Sequence, residues 1–253
     1  MRFPEFLKKN GTIGFVAPSF GCNIEPYKTS FNHALEKFHD MGYQTMLGPN
    51  CFEGSGIGIS NTPEKCAAEL NKMYLSDEAD ALISCGGGEL MCEILDNVDF
   101  DAIKAAKPKW YMGYSDNTNF TFLLTTICDV ASIYGPCAGT FGMEPWDESI
   151  EDCFSLFTGK KLTMQSYTLW EKEGLRDEEH PLEPYNLTEQ SLVRGFLTQK
   201  DRAGEVQAVE TEGTIEFKGR LIGGCMDCLV NLTGTKFDQV KSFNERYKED
   251  GII

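Results

Sequence analysis

Apolar and polar positions change period several times along the first half of the chain. Thr12-Ile-Gly-Phe-Val-Ala-Pro18 is a short apolar run of the kind that forms a buried strand. Within Tyr27 to Met41, Phe31, Leu35 and Phe38 fall at i, i+4 and i+7, which predicts a helix ending at Gly42. Gln44–Leu47 predicts a second strand. A loop carrying Gly54, Gly56 and Gly58 leads to Thr62-Pro63, an N-cap followed by a first-turn proline, and Ala67, Leu70, Met73 and Tyr74 supply the apolar stripe of the helix it opens. Ala81–Ser84 reads as a third strand, and Cys85-Gly-Gly-Gly-Glu89 turns from it into a short helix over Leu90–Leu95. Trp110–Met112 reads as a fourth strand, Asn117–Ile127 as a helix, Ala131–Tyr134 as a fifth strand, and Trp146 to Gly159 as a further helix. Strands alternating with helices predict an α/β fold layered on a mainly parallel sheet.

After that helix the character changes. Residues 171–189 are polar, acidic and interrupted by Pro181 and Pro184, as expected of a linker or surface excursion. The expected organisation is an N-terminal α/β domain over 1–160, a linker over 161–203, and the start of a smaller C-terminal α/β domain over 204–253. In that last part Glu205–Phe217 reads as strand or hairpin, Leu221-Ile222 as a short strand and Cys225–Leu232 as a helix. Asp250-Gly-Ile-Ile253 reads as the opening of a buried strand, so the C-terminal domain is expected to be incomplete.

A chain of 253 residues can bury a sizeable core without staples. At 41% apolar and 25% charged residues it falls with globular proteins, which excludes disordered and fibrous classes. The net charge of −16 argues against nucleic acid and anionic membrane as partners. No run approaches the roughly 18–20 apolar residues of a membrane span, and Met1–Asn10 lacks the apolar core of a signal peptide, so a cytoplasmic location is expected. The ten cysteines are scattered and are expected to be reduced, buried small side chains.

The sharpest chemical pattern is Gly113-Tyr-Ser-Asp116, where a strand runs into Gly-x-Ser and then a helix. Such a turn lifts the Ser115 hydroxyl to the carboxyl edge of the sheet and aims backbone N–H groups at it, as a nucleophile requires. Asn117 replaces the second glycine of Gly-x-Ser-x-Gly, so an α/β-hydrolase is not matched; the plainer alternative is that Ser115 or Asp116 caps the helix. Gly86-Gly-Gly88 sits at another strand end, where glycines permit positive φ and let N–H groups face an anion or developing oxyanion. It has neither the Gly-x-Gly-x-x-Gly spacing nor a Walker lysine. Cys225-Met-Asp-Cys228 has metal or redox spacing but lies late in a helical stretch, which favours a structural role. Cys85 beside the glycines is a second thiol candidate, without a histidine near it in sequence. None of His33, His39 and His180 reads as a positioned base, although a serine nucleophile needs one. Trp170 either stacks on a planar ligand or packs between domains.

Taken in order, Thr12–Pro18, Ile83–Gly88, Val98-Asp-Phe100 with Lys107-Pro108, Gly113–Asp116, Tyr134-Gly-Pro136 and Gly219-Arg-Leu-Ile-Gly-Gly224 resemble the LD-carboxypeptidase family of serine peptidases. Tyr167-Thr-Leu-Trp-Glu-Lys172 leans towards its microcin-immunity branch. The resemblance spans nearly the whole chain. It implies a serine carboxypeptidase that hydrolyses an amide bond in murein tetrapeptide, or in a peptidyl or aminoacyl nucleotide antibiotic. Ser115 matches the nucleophile, Gly88 and Asp116 the oxyanion-hole positions, and Gly87 and Trp170 are expected to meet the substrate. No metal or cofactor is implied, and a homodimer is compatible with a chain of this size. The family's triad Glu, soon after the Gly219–Gly224 segment, and its later His have no counterpart here, so the chain as it stands is expected to have little activity, the alternative being a peptide- or nucleotide-binding module.

Overall fold

Five of the short apolar runs pair edge to edge. In the computed structural model, which describes residues 1–56, 58–202, 204–211 and 213–253, β1 (Thr12–Val16), β2 (Gln44–Leu47), β3 (Ala81–Ser84), β4 (Tyr111–Gly113) and β5 (Ile133–Tyr134) form a parallel sheet in the order β2-β1-β3-β4-β5. Ile57 in the Gly-rich loop, Ala203 at the end of the expected linker and Glu212 in the expected hairpin lie outside the described residues.

Alternation along these strands feeds two cores. Ile13, Phe15, Ala81, Ile83 and Met112 point to one face, where they meet Phe31, Ala34 and Phe38 of α1 (Tyr27–Asp40) together with Ile150, Phe154 and Phe157. Val16, Leu82 and Tyr111 point to the other, against Ala67, Leu70 and Met73 of α2 (Pro63–Leu75), Ile103 of α3 (Phe100–Ala105), and Phe120 and Leu124 of α4 (Thr118–Thr126). Ile150, Phe154 and Phe157 belong to α5 (Glu148–Phe157). A sheet covered on both faces accounts for strands that read as continuous apolar runs. On α1, Ala34 takes the central place expected for Leu35, which packs at the margin.

Several short elements differ from expectation. The stretch after the glycine turn is a 3₁₀ helix over Met91–Asn97, and another 3₁₀ turn, Ser115–Asn117, precedes α4. In the second half, β6 (Leu169–Glu171) pairs antiparallel with β7 (Leu187–Gln190), and β8 (Gly195–Lys200) with β9 (Val206–Thr211). Three of these four strands lie inside the stretch expected as linker. Leu221-Ile222 forms no strand of its own, but the neighbouring Arg220 bridges in parallel to Ile252. The helices α6 (Met226–Leu232) and α7 (Val240–Tyr247) return to the first half: Leu232 enters the second core, and Tyr247 Oη donates to Asp129 Oδ1 at 2.6 Å. None of the described helices is long and apolar enough to cross a membrane.

Candidate active site

Parallel strands bring their carboxyl ends to one edge, and in this strand order the connections diverge between β1 and β3, opening a crevice there. Ser19 follows β1, Gly86–Gly88 follow β3, Ser115 follows β4 and Tyr134 ends β5. Four segments far apart in sequence thus meet around one hydroxyl.

Ser115 is partly exposed and has φ +61°, a left-handed conformation unusual for a residue with a side chain. The turn is held on every side. Ser115 N–H donates to Tyr134 Oη at 3.1 Å, Thr118 Oγ1 donates to Ser115 O at 2.8 Å, and Asn117 Nδ2 donates to Tyr114 O and Gly86 O at 3.1 and 3.0 Å. Asn117, where a glycine would complete the α/β-hydrolase pattern, ties the serine turn to the glycine turn. The Ser115 hydroxyl itself has no hydrogen-bond partner among the described residues.

The positive φ expected of Gly86–Gly88 is not adopted by any of the three; these glycines supply space. A Cβ on Gly87 would lie 2.7 Å from Ser115 Cβ and 3.2 Å from its Oγ, so the nucleophile candidate rests on bare backbone. A Cβ on Gly88 would lie 2.3 Å from Gly58 O. The Gly88 N–H, expected to face an oxyanion, donates to Asp116 Oδ1 at 2.8 Å. Asp116 Oδ2 accepts from Ser19 Oγ at 2.5 Å and from Met91 N–H at 3.3 Å. Asp116, read from sequence as a backbone donor, is therefore also the clamp that joins three strand ends through its side chain. Burial pushes its carboxyl upward, and the donors from Ser19, Gly88 and Met91 counter part of that.

Ser115 and Gly87 face a cleft of about 320 Å³ also lined by Phe20, Tyr27, Tyr114 and Arg176. Trp170 is elsewhere: it is 48% exposed on β6 and lines a separate cleft with Tyr167, Tyr185 and Leu187. Trp170→Ala is accordingly expected to change unfolding free energy by no more than about 1 kcal/mol in a urea melt. None of the histidines lines the serine cleft. His33 Nδ1 lies 2.8 Å from Gly142 O, His180 pairs with Asp177, and His39 lies beside Asp40.

The two thiol candidates read as inert. Cys85 is fully buried, and its thiol is raised far above its usual range by burial. Cys228 is pushed up to about 12, chiefly by burial, and its Sγ lies 3.8 Å from Ser115 O. The Cys225 N–H donates to Thr118 Oγ1 at 2.8 Å, so the Cys-x-x-Cys segment packs against the serine turn. Among the described residues no group of three or more His, Cys, Asp or Glu could hold a metal ion.

Residues 13–135, which contain β1 to β5 and the whole serine and glycine constellation, match the model of the LD-carboxypeptidase N-terminal domain. Over a longer stretch, the chain is 28% identical over 234 residues to the microcin C7 self-immunity protein MccF of Escherichia coli, covering 91% of this chain and 63% of that protein. It is 27% identical over 238 residues to a probable murein peptide carboxypeptidase of Bacillus subtilis, covering 93% of this chain and 60% of the relative. The chain thus spans under two thirds of the length of both. In fold, it resembles the solved structure of MccF in complex with aspartyl sulfamoyl adenosine, with a TM-score of 0.71 at 23% identity over 94% of this chain and 67% of that one. An MccF-like protein from Streptococcus pneumoniae in complex with AMP gives the same TM-score at 17% identity, covering 94% and 67% of the two chains.

The similarity to that domain was legible through Ser115 and the glycine run. Ser19, Asn117, Tyr134 and Arg176 were not singled out as site residues. The rule that ligands bind at the carboxyl ends of parallel strands would have pointed to Ser19 and Tyr134, since Pro18-Ser19 closes the first apolar run and Tyr134 the fifth.

Proposed function

We propose that the chain carries the nucleophile of a serine-type carboxypeptidase that hydrolyses an amide bond in murein tetrapeptide or in a peptidyl or aminoacyl nucleotide of the microcin type. The observation that carries this reading is Ser115, left-handed and partly exposed at the end of β4, seated on Gly87 in the cleft at the sheet's switch point. The relatives named for microcin immunity and murein peptide cleavage support the two substrate classes. In this reading Ser115 Oγ attacks the carbonyl, and N–H groups of the serine and glycine turns face the oxyanion, Gly88 after release from Asp116. Residues 1–160 form the nucleophile-bearing domain, 161–203 the connection and 204–253 a smaller C-terminal part. The protein works in the cytoplasm, alone or as a homodimer.

One observation favours a second reading. Ser115 Oγ meets no base among the described residues, and the cleft is lined by neither a histidine nor a carboxylate. These residues alone are expected to turn over slowly, and a peptide- or nucleotide-binding module is the alternative. Mass spectrometry of products from murein tetrapeptide and from aspartyl sulfamoyl adenosine tests both. Slow cleavage that disappears in Ser115→Ala is the expected result. Equal rates in the two proteins overturn serine chemistry, and binding without cleavage selects the module.

A further inference from the structure

Arg176 reaches the serine cleft from the acidic segment 171–189. Its guanidinium lies 5.3 Å from the centre of the Tyr27 ring, and Tyr27 in turn meets Phe20 edge-on at 5.2 Å. Partly buried and held by stacking, it makes no ion pair and no hydrogen bond among the described residues. That is unusual in a chain with 39 acidic and 23 basic residues, and more so with Asp177, Glu173, Glu178 and Glu179 as near neighbours in sequence. Those neighbours are turned to other work where their partners are visible: Asp177 takes the backbone N–H groups of Glu179 and His180, and Glu171 that of Asn186. The Arg176 charge is felt inside the cleft, where it opposes the upward pull of burial on the Tyr114 phenol. All five guanidinium donors are therefore without a partner among the described residues, in the cleft that Ser115 also lines.

We infer that Arg176 is a specificity-determining residue, whose guanidinium takes a free carboxylate of the ligand whose carbonyl lies at Ser115; this rests on the hydrolase reading above. A planar fork of donors matches a carboxylate in bidentate geometry, and stacking on Tyr27 fixes its plane before the ligand arrives. A single guanidinium with no second cation lining the described cleft balances one negative charge. A phosphate dianion would leave one charge exposed to a protein of net charge −16. The carboxylate has two sources, the C-terminus of a peptide or an acidic side chain on an aminoacyl nucleotide.

Calorimetry on the Ser115→Ala chain, which prevents turnover, separates them with two ligand pairs. One is murein tetrapeptide and its C-terminal amide; the other is aspartyl and asparaginyl sulfamoyl adenosine. The carboxylate member of one pair is expected to bind at least about tenfold more tightly, and that pair names the source. Adding Arg176→Gln brings the ratio close to one, and Arg176→Lys keeps part of it. A ratio unchanged by Arg176→Gln, or equal binding of both members of both pairs, overturns the inference and leaves the hydrolase reading standing. Absence of binding by any of the four ligands overturns the hydrolase reading and this inference together. Apart from its stacking on Tyr27, Arg176 makes no hydrogen bond or ion pair among the described residues, so circular dichroism of the variants is expected to match that of the parent.

Discussion

Asp116→Ala is expected to lower the unfolding free energy by about 3–5 kcal/mol, one of the largest losses available to a single substitution in this chain. The carboxylate is 4% exposed and receives Ser19 Oγ, Gly88 N–H and Met91 N–H. Alanine leaves the Ser19 and Met91 donors buried, and the half-buried Gly88 amide, without their acceptor. The serine hydroxyl can rotate to another acceptor, but the two amides are fixed by the chain in the glycine turn and at the first residue of the 3₁₀ helix, and a buried amide costs roughly 1–3 kcal/mol unpaired. Asp116→Asn separates charge from hydrogen bonding. Its oxygen still serves Gly88, while its NH₂ group faces Met91 N–H donor to donor, so a loss of about 1–2 kcal/mol is expected. Urea unfolding gives both values, and amide exchange at Gly88 and Met91 locates the damage. An Asp116→Ala protein within 1 kcal/mol of the parent, with those two amides still protected, would refute the clamp.

The same residue shows where reading the chain succeeds. Local chemistry is written locally: Gly-x-Ser between an apolar run and a helix specifies a turn, and a glycine run at a strand end specifies close approach. Ser115 and the Gly86–Gly88 run could be named from that alone, and in the structure a Cβ added to Gly87 would lie 2.7 Å from Ser115 Cβ. The sheet was legible for a related reason, since both its faces are covered and every central strand reads as apolar. What Asp116 does with its side chain is not local. Its partners lie 97, 28 and 25 residues away and meet it because β1, β3 and β4 are neighbours, a fact of topology that spacing does not encode. Strand β8 escaped for another reason, whereas its antiparallel partner β9 lies in the stretch 205–217 read as strand or hairpin. Phe196 and Leu197 are exposed, so β8 lacks the inside-outside alternation that marks a half-buried strand. The left-handed φ foreseen for the glycines was taken up by Ser115 instead, because the glycines were needed for room.

A second clamp lies under the same switch point, and it predicts how stability follows pH. Glu69 of α2 is 2% exposed, accepts from Asn50 Nδ2 at 2.5 Å and from Ala17 N–H at 3.4 Å, and stands so close to Gly48 that a Cβ there would lie 1.7 Å from Glu69 Oε1. Burial raises its carboxyl from 4.5 to about 7, only partly offset by those donors. The folded protein therefore holds a proton there that the unfolded chain releases above pH 4.5. Because the folded state binds more protons across this window, stability falls as pH rises from about 4.5 to about 7 and flattens above it. The full displacement corresponds to about 3 kcal/mol, or roughly 6–12 °C in Tm for a domain of this size. The net charge of −16 adds repulsion over the same range, so the decisive quantity is the difference between two proteins. In Glu69→Gln the fall in stability between pH 5 and pH 8 is expected to shrink by about 2.5 kcal/mol, read from urea melts at both values. Parallel pH profiles for parent and variant would show that Glu69 keeps its ordinary carboxylate range. A shallower profile in the variant ties the segment Ala17-Pro18-Ser19, and through Ser19 the Asp116 clamp beside the nucleophile, to a proton held near neutrality.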